Sequence, residues 1–398
     1  MNDKLKLETI LMHLAEEREA YKGAVVPPIF QNSLFTFKDW QSIDEAFEDR
    51  INQFIYSRGK NPTVKMVEEK IAHMAGGERA QLFPSGMAAI TASCLHFLEP
   101  HDHVIAVKNL YGPANNLLKN YLVKKMNIEI TFVSGENIQD FENAIQENTK
   151  LIYLESPSTA VFTLQDIQAV AELAKQRNIK TMIDNTWATP IFQKPLAMGI
   201  DLEVHSCSKY LGGHSDLVGG VVIGRQEDID DIFHHEYELL GAKTAPMEAW
   251  LLMRSLRTLP MRMEKHQSNA LAVAQFLESH PKIEVVHYPG LPDFPQYTLG
   301  QKQMSGYTGL MAFKLKTNML EKIKAFVNSL KIFQVGVSWG GHESLVYAPA
   351  ISYLKELDEE QFKGLGISLG DIRISVGLEH KDDLINDLRN ALETSFEL

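Results

Sequence analysis

The chain has 398 residues, 44% of them hydrophobic, which is ample for a buried core and long for one compact unit, so two domains and an N-terminal arm are expected. A formal net charge of −12 argues against nucleic acid or an anionic membrane surface as the partner and favours a small molecule. The only cysteines, Cys94 and Cys207, form no CxxC pair and no framework of bridges, which suits a reducing cytoplasm.

The start, MNDKLKLETILMHLAEE, interrupts every apolar stretch with acids and polar residues, unlike a signal peptide. No later run is apolar enough for long enough to span a bilayer, so a soluble, cytoplasmic protein is expected. Within residues 1–60 the segment AVVPPIFQNSLFTF shows no regular period, and it reads as an arm draped over another surface, a partner subunit being one candidate. From residue 61 to 250, short apolar runs alternate with amphipathic stretches, the signature of βαβ units around a mostly parallel sheet. HVIAVKN, IEITFVS, KLIYLES, IKTMIDN, LEVHSCS and GGVVIGR read as strands, and LQDIQAVAELAKQRN spaces its apolar residues as a helix does. A long helix is expected around APMEAWLLMRSLRTL. Residues 251–398 then carry IEVVHYPG, GLMAFKLK, KIFQVGVS and DIRISVGLE between helical stretches, a smaller α+β domain. The fold class is therefore α/β, a large domain with a mostly parallel sheet followed by that smaller one.

The strongest chemical signal is SCSKYLGGHSD, residues 206–216, where Lys209 follows a strand and precedes paired glycines. A lysine that forms a Schiff base needs a desolvated pocket, and Ser206 and Ser208 could hydrogen-bond an anionic group on its ligand. Taken alone, the same string also describes an exposed lysine before a glycine turn. In TMIDNTWATP, Asp184 ends an apolar strand 25 residues earlier, and one βα unit would bring the two strand ends to one sheet edge. An acid there suits pyridoxal 5′-phosphate (PLP), because it keeps the pyridine nitrogen protonated; an isolated Asp would instead be a helix cap. In LFPSGMAAITASCLHFL, a turn opens an apolar helix whose first free N–H groups, on Gly86 and Met87, suit a dianionic phosphate, although Ser85 is otherwise a plain N-cap.

Tyr111 in NLYGPANN could stack on a planar ring with its phenol near the reacting carbon. In FIYSRGKNPT, Tyr56 and Arg58 occupy alternate positions and would point at one phosphate if the segment is extended. Arg373, on the apolar strand DIRISVGLE, could clamp a substrate carboxylate or serve a structural ion pair, with Ser338 and Trp339 helping to orient the bound chain. His101 and His103, and likewise His234 and His235, lack acidic or cysteine company at ligand spacing, so no metal site is expected.

The collinear set YSR, PSGMAA, YGP, ESPS, IDNTWATP, SKYLGGHSD, SWGGHESL and IRISVGLE resembles the Cys/Met-metabolism PLP enzymes, the trans-sulfuration family of β-lyases, γ-lyases and γ-synthases. The resemblance covers essentially the whole chain. It implies fold type I, a homotetramer built as a dimer of dimers, and a sulfur amino acid as substrate. It also implies that Lys209 holds PLP, Asp184 meets the pyridine nitrogen, Tyr111 stacks on the ring, and Arg373 takes the substrate carboxylate. Tyr56 and Arg58 would reach the neighbouring subunit's site. Pro113, Thr159 and Trp339 resemble bacterial cystathionine β-lyases, whereas SGM and IDNTWATP are also common among γ-enzymes. The expectation is therefore β-elimination from cystathionine, with γ-chemistry as the alternative.

Overall fold

The computed structural model describes residues 5–356 and 366–396; residues 1–4 of the expected arm and a stretch of the C-terminal region lie outside that description. Seven strands form the larger sheet: β1 (Arg79–Phe83), β2 (His103–Val107), β3 (Glu129–Val133), β4 (Thr149–Glu155), β5 (Lys180–Asp184), β6 (Leu202–Ser206) and β7 (Gly220–Gly224). Their spatial order is β1-β7-β6-β5-β4-β2-β3. The neighbours from β6 through β3 pair in parallel, while β7 runs antiparallel to both β6 and β1. Every residue of β2 and β7 is buried, as continuous apolar runs require when helices cover both faces of a sheet.

Three of the covering helices have a local reason to begin. Ser85 caps Gly86–Phe97 by accepting the Ala88 N–H, and Asp166 caps Ile167–Gln176 by accepting that of Ala169. Asn61 does the same for Pro62–Ala75, which ends on Gly76 in the left-handed region. Because β4, β5 and β6 are parallel, Glu155, Asp184 and Ser206 arrive at one edge, the crevice beyond the carboxyl ends of the strands.

The second sheet holds β8 (Ile283–His287), β9 (Leu310–Leu315), β10 (Gln334–Val335), β11 (Leu345–Tyr347) and β12 (Asp371–Ser375) in the order β10-β11-β12-β9-β8. Helices Leu320–Ser329 and Lys381–Phe396 contribute Phe326, Leu384 and Leu388 to a core shared with Phe313 and Ile372. Part of the arm docks on the chain itself: the Trp250 indole donates to the Pro27 carbonyl at 3.2 Å, and buried Glu16 meets Lys70 at 3.1 Å and Arg257 at 2.8 Å.

Several elements depart from expectation. The helix expected around residues 245–259 is two, Pro246–Leu256 and Leu259–Glu278, the second opening with Pro260, which needs no N–H partner in a first turn. KIFQVGVS contributes only the two residues of β10, and the rest is a loop leading to Ser338. β1 and β11 were not expected at all.

Gly220 decides how closely the large sheet approaches the Ser85-Gly86 turn. A Cβ there would stand 2.2 Å from the Ser85 carbonyl oxygen and 2.8 Å from the Gly86 Cα, both rigid backbone atoms. Gly220→Ala is therefore expected to cost about 1–3 kcal/mol of stability through overpacking. Gly112→Ala, whose Cβ meets nothing within 4 Å, should stay within about 0.5 kcal/mol. Urea unfolding of the two variants checks this, and equal midpoints would contradict it.

Candidate active site

Lys209 leaves β6 in a tight turn. The Gly212 N–H donates to the Cys207 carbonyl at 2.8 Å and the Gly213 N–H to that of Lys209 at 2.7 Å. Fully buried Tyr210 anchors the turn, so the neighbouring lysine faces the crevice edge. Its Nζ donates to the Ser338 hydroxyl at 2.7 Å and lies 5.3 Å from the Trp339 ring centroid. Burial lowers the ammonium to about 8, Arg373 adding to the effect and Asp184 opposing it. An amine in that range is available as nucleophile or base near neutral pH.

Asp184 closes β5 on the neighbouring strand, in register with Val204 of β6. Its Oδ1 accepts the Thr186 N–H at 2.9 Å and the Thr186 hydroxyl at 2.5 Å. That hydroxyl in turn accepts the Ser206 N–H at 2.8 Å, which ties the two strand ends together. Burial pushes the Asp184 carboxyl above its ordinary value, while Thr186 and the charges of His205 and Lys209 pull it back.

The start of helix Gly86–Phe97 faces Ser206. A Cβ on Gly86 would sit 2.9 Å from the Ser206 Cβ and 3.2 Å from its Oγ, so only glycine leaves that cradle open. The first N–H groups of a helix carry no internal acceptor, so Gly86 and Met87 offer donors to an anion. The Ser208 hydroxyl oxygen accepts the Gly219 N–H at 3.2 Å and keeps its own proton to donate. Helix donors and serine hydroxyls for a phosphate, a carboxylate for a pyridinium and an amine for an aldehyde are the donor set that PLP requires.

Tyr111 lies on the loop after β2, its N–H donating to the Glu155 Oε2 at 2.7 Å. Burial, then Asp184, then Glu155 hold its phenol above the ordinary value. Arg373 extends from β12, donating to the Val337 carbonyl at 2.7 Å and stacking its guanidinium 5.1 Å from the Tyr347 ring centroid. The Ser338–Trp339 loop is braced between these parts. The Gly340 N–H donates to the Ser375 hydroxyl at 3.1 Å, and a Cβ on Gly340 would stand 2.8 Å from the Tyr210 nitrogen.

Tyr56 and Arg58 stand apart. An antiparallel bridge between Leu34 and Tyr56 makes their segment extended, as alternation demands, but both line a separate surface cavity of about 500 Å³ with Gln31, Asn32 and Lys243. His103 is occupied between the Thr149 and Thr131 hydroxyls at 2.8 and 2.9 Å. Sequence reasoning passed over Thr186, Gly340 and Glu155. The last carries the signal that marked Asp184, a carboxylate ending an apolar strand, and was legible in ESPS.

The family model for Cys/Met metabolism PLP-dependent enzymes matches residues 8–393. A cystathionine beta-lyase of Coxiella burnetii is 37% identical over 98% of this chain and 99% of its own length. An L-methionine gamma-lyase of Fusobacterium nucleatum is 38% identical over 98% of both chains, and a cystathionine gamma-lyase of Bacillus subtilis is 36% identical over 98% of this chain and all of that one. The crystal structure of metB from Corynebacterium glutamicum superposes with a TM-score of 0.90 at 31% identity, covering 98% of each chain. Matches of this length and identity make the chain a fold type I member of the Cys/Met metabolism PLP-dependent enzymes, with PLP as its cofactor.

Proposed function

We propose that this PLP-dependent lyase is a cystathionine β-lyase, cleaving the Cβ–S bond of L-cystathionine to give L-homocysteine, pyruvate and ammonia. Bound PLP supplies an aldehyde for the substrate amine and an electron-poor ring that stabilises negative charge at Cα. The chain does the rest. Asp184, sheltered from water, keeps a proton on the ring nitrogen. Arg373 receives the substrate carboxylate, with Ser338 and Trp339 beside it. Gly86, Met87, Ser206 and Ser208 take the phosphate. Once released by the substrate amine, Lys209 takes the Cα proton. The Cβ–S bond then breaks with its electron pair going to sulfur, and Tyr111 or the protonated Lys209 returns a proton there. A phenol held above its ordinary value is still protonated at neutral pH, so Tyr111 suits that donation. The remaining three-carbon fragment hydrolyses to pyruvate and ammonia.

The observation that carries the β assignment is the tether on Lys209, whose Nζ is gripped by Ser338 and laid against Trp339. β-Elimination asks for one deprotonation, at Cα; γ-elimination needs a second at Cβ, hence a base free to move between two carbons. The relatives favour keeping γ-chemistry as the second reading, since two of those described above are named gamma-lyases. A γ-synthase joining cysteine to an activated homoserine would use the same pocket. Exposed Tyr56, with Arg58 beside it, supports a site shared between subunits of a homotetramer, the arm of residues 1–60 reaching from the 61–250 unit of one copy toward the next, with residues 251–398 completing each copy. The two free, buried thiols support a cytoplasmic setting.

Incubation with cystathionine is expected to yield pyruvate; 2-oxobutyrate would move the assignment to the γ carbon, and product only from O-acylhomoserine plus cysteine would make it a synthase. Lys209→Ala is expected to lower kcat by about 10²–10⁴-fold or more. In the apoprotein only the neutral amine attacks the aldehyde, so the rate of covalent PLP attachment should climb as pH passes through about 8 and level off above it. A climb centred near the pH of a free lysine would contradict the desolvated pocket. Mixed oligomers of Tyr56→Phe and Lys209→Ala subunits should regain activity at sites built from one intact half of each; no recovery would remove the shared-site reading.

A further inference from the structure

Glu155 ends β4 as Asp184 ends β5, and the two are register partners on adjacent parallel strands, both buried. Two carboxylates so placed cannot both ionise cheaply. Lys209, a basic group, lies on Asp184's side and favours its charge. Glu155 instead meets neutral donors, the Tyr111 N–H at its Oε2 (2.7 Å) and the Thr159 hydroxyl at its Oε1 (2.5 Å). Burial and then Asp184 push Glu155 up to about 8, so near neutral pH it carries the proton. The other titratable groups around it are Tyr111 on the loop after β2 and Tyr153 on its own strand, with Cys94 of helix Gly86–Phe97 beside Tyr153.

Tyr111 needs such a hold. It precedes the helical run Gly112–Met126, whose first turn contains Pro113 and so lacks one N–H that could anchor it. Its backbone N–H is the group fastened to the sheet edge.

We propose that Glu155 is a positioning residue for Tyr111: as a neutral carboxyl group it grips the Tyr111 N–H and the Thr159 hydroxyl, fixing the loop that carries the ring and leaving the negative charge to Asp184. Its Oε2 accepts from the Tyr111 N–H and its Oε1 accepts from the Thr159 hydroxyl. This rests on the reading of Tyr111 as the residue that stacks on the cofactor and returns a proton to sulfur.

The test uses holoenzyme of the wild type, Glu155→Ala, Glu155→Gln, Tyr111→Ala and the Glu155→Ala/Tyr111→Ala double variant, reading kcat and KM for keto-acid release and the visible circular dichroism of bound PLP. Glu155→Ala is expected to lower kcat by about tenfold with KM changed less, Glu155→Gln to recover to within about threefold of wild type, and Glu155→Ala to cost little more once Tyr111 is already alanine. The dichroic band should change in Glu155→Ala and return in Glu155→Gln. A glutamine no better than alanine, or a Glu155→Ala loss undiminished in the Tyr111→Ala background, would overturn the proposal. If the wild type released no keto acid, the lyase reading would fall by itself, and the dichroic band would still decide: no change in Glu155→Ala would refute the hold on Tyr111.

Discussion

Lys209 and Asp184 have to be kept out of water together, close enough to serve one ligand and yet not so close that they neutralise each other. Both move toward their uncharged forms, the ammonium down to about 8 and the carboxyl above its ordinary value. Each shift is a cost to folding, and the signs differ. The Lys209 penalty is fully present below about 8 and relaxes as pH rises from there toward the range of an unfolded lysine. The Asp184 penalty is absent in acid, where both folded and unfolded carboxyls are protonated, and grows as pH rises through the interval between the two values. Near neutrality the fold carries both. A ligand that neutralises the acid with a pyridinium and consumes the amine relieves both at once, so this strain is also a source of cofactor affinity.

The sheet is the device that makes this placement affordable. Parallel β5 and β6 present their carboxyl ends side by side, and the Thr186 hydroxyl, accepting from Ser206 and donating to Asp184, locks them at that spacing. The second sheet contributes the opposite wall. Arg373 lies on its strand β12, and the same strand supplies the Ser375 hydroxyl that braces Gly340 and with it the loop holding Ser338 against Lys209. The proposed cofactor cradle and the proposed substrate clamp therefore come from different cores.

What the sequence made legible follows from the same physics. Strands such as HVIAV were readable because a sheet covered on both faces demands unbroken apolar runs. RAQLF escaped because Gln81 interrupts the pattern. That side chain is fully buried and satisfied from afar by Lys60 at 2.8 Å and Glu68 at 2.8 Å, partners no local pattern reveals. KIFQVGVS misled in the opposite direction: the Val337 carbonyl pairs with the Arg373 side chain instead of a neighbouring strand, so an apolar run becomes a loop. The candidate residues on the chain's own crevice stand out in the sequence because most of them are polar groups in an apolar setting. Tyr56 and Arg58 were marked by their alternate positions in FIYSRGKNPT, but only resemblance to a family assigned them to a neighbouring subunit's site, since on one chain they line their own surface cavity.

Relatives named for β- and for γ-elimination stand at 36–38% identity to this chain, almost equally distant, so overall similarity carries no information about which bond breaks. The cradle does not discriminate either, because every reaction in the group begins with the same proton leaving Cα. Divergence can begin only at the next proton. In one route the base has finished; in the other it must travel one carbon further and back. On the β-elimination proposal, whatever limits the reach of Lys209 is a specificity element, and the candidate is the 2.7 Å hydrogen bond to Ser338 together with the Trp339 ring. Glu155, through its hold on the Tyr111 N–H, bears on the proton donor as Ser338 bears on the base. If it fixes Tyr111, the proton donor is held to one position as the base is, and a site whose acid and base are both fixed is suited to expelling a leaving group one bond from Cα.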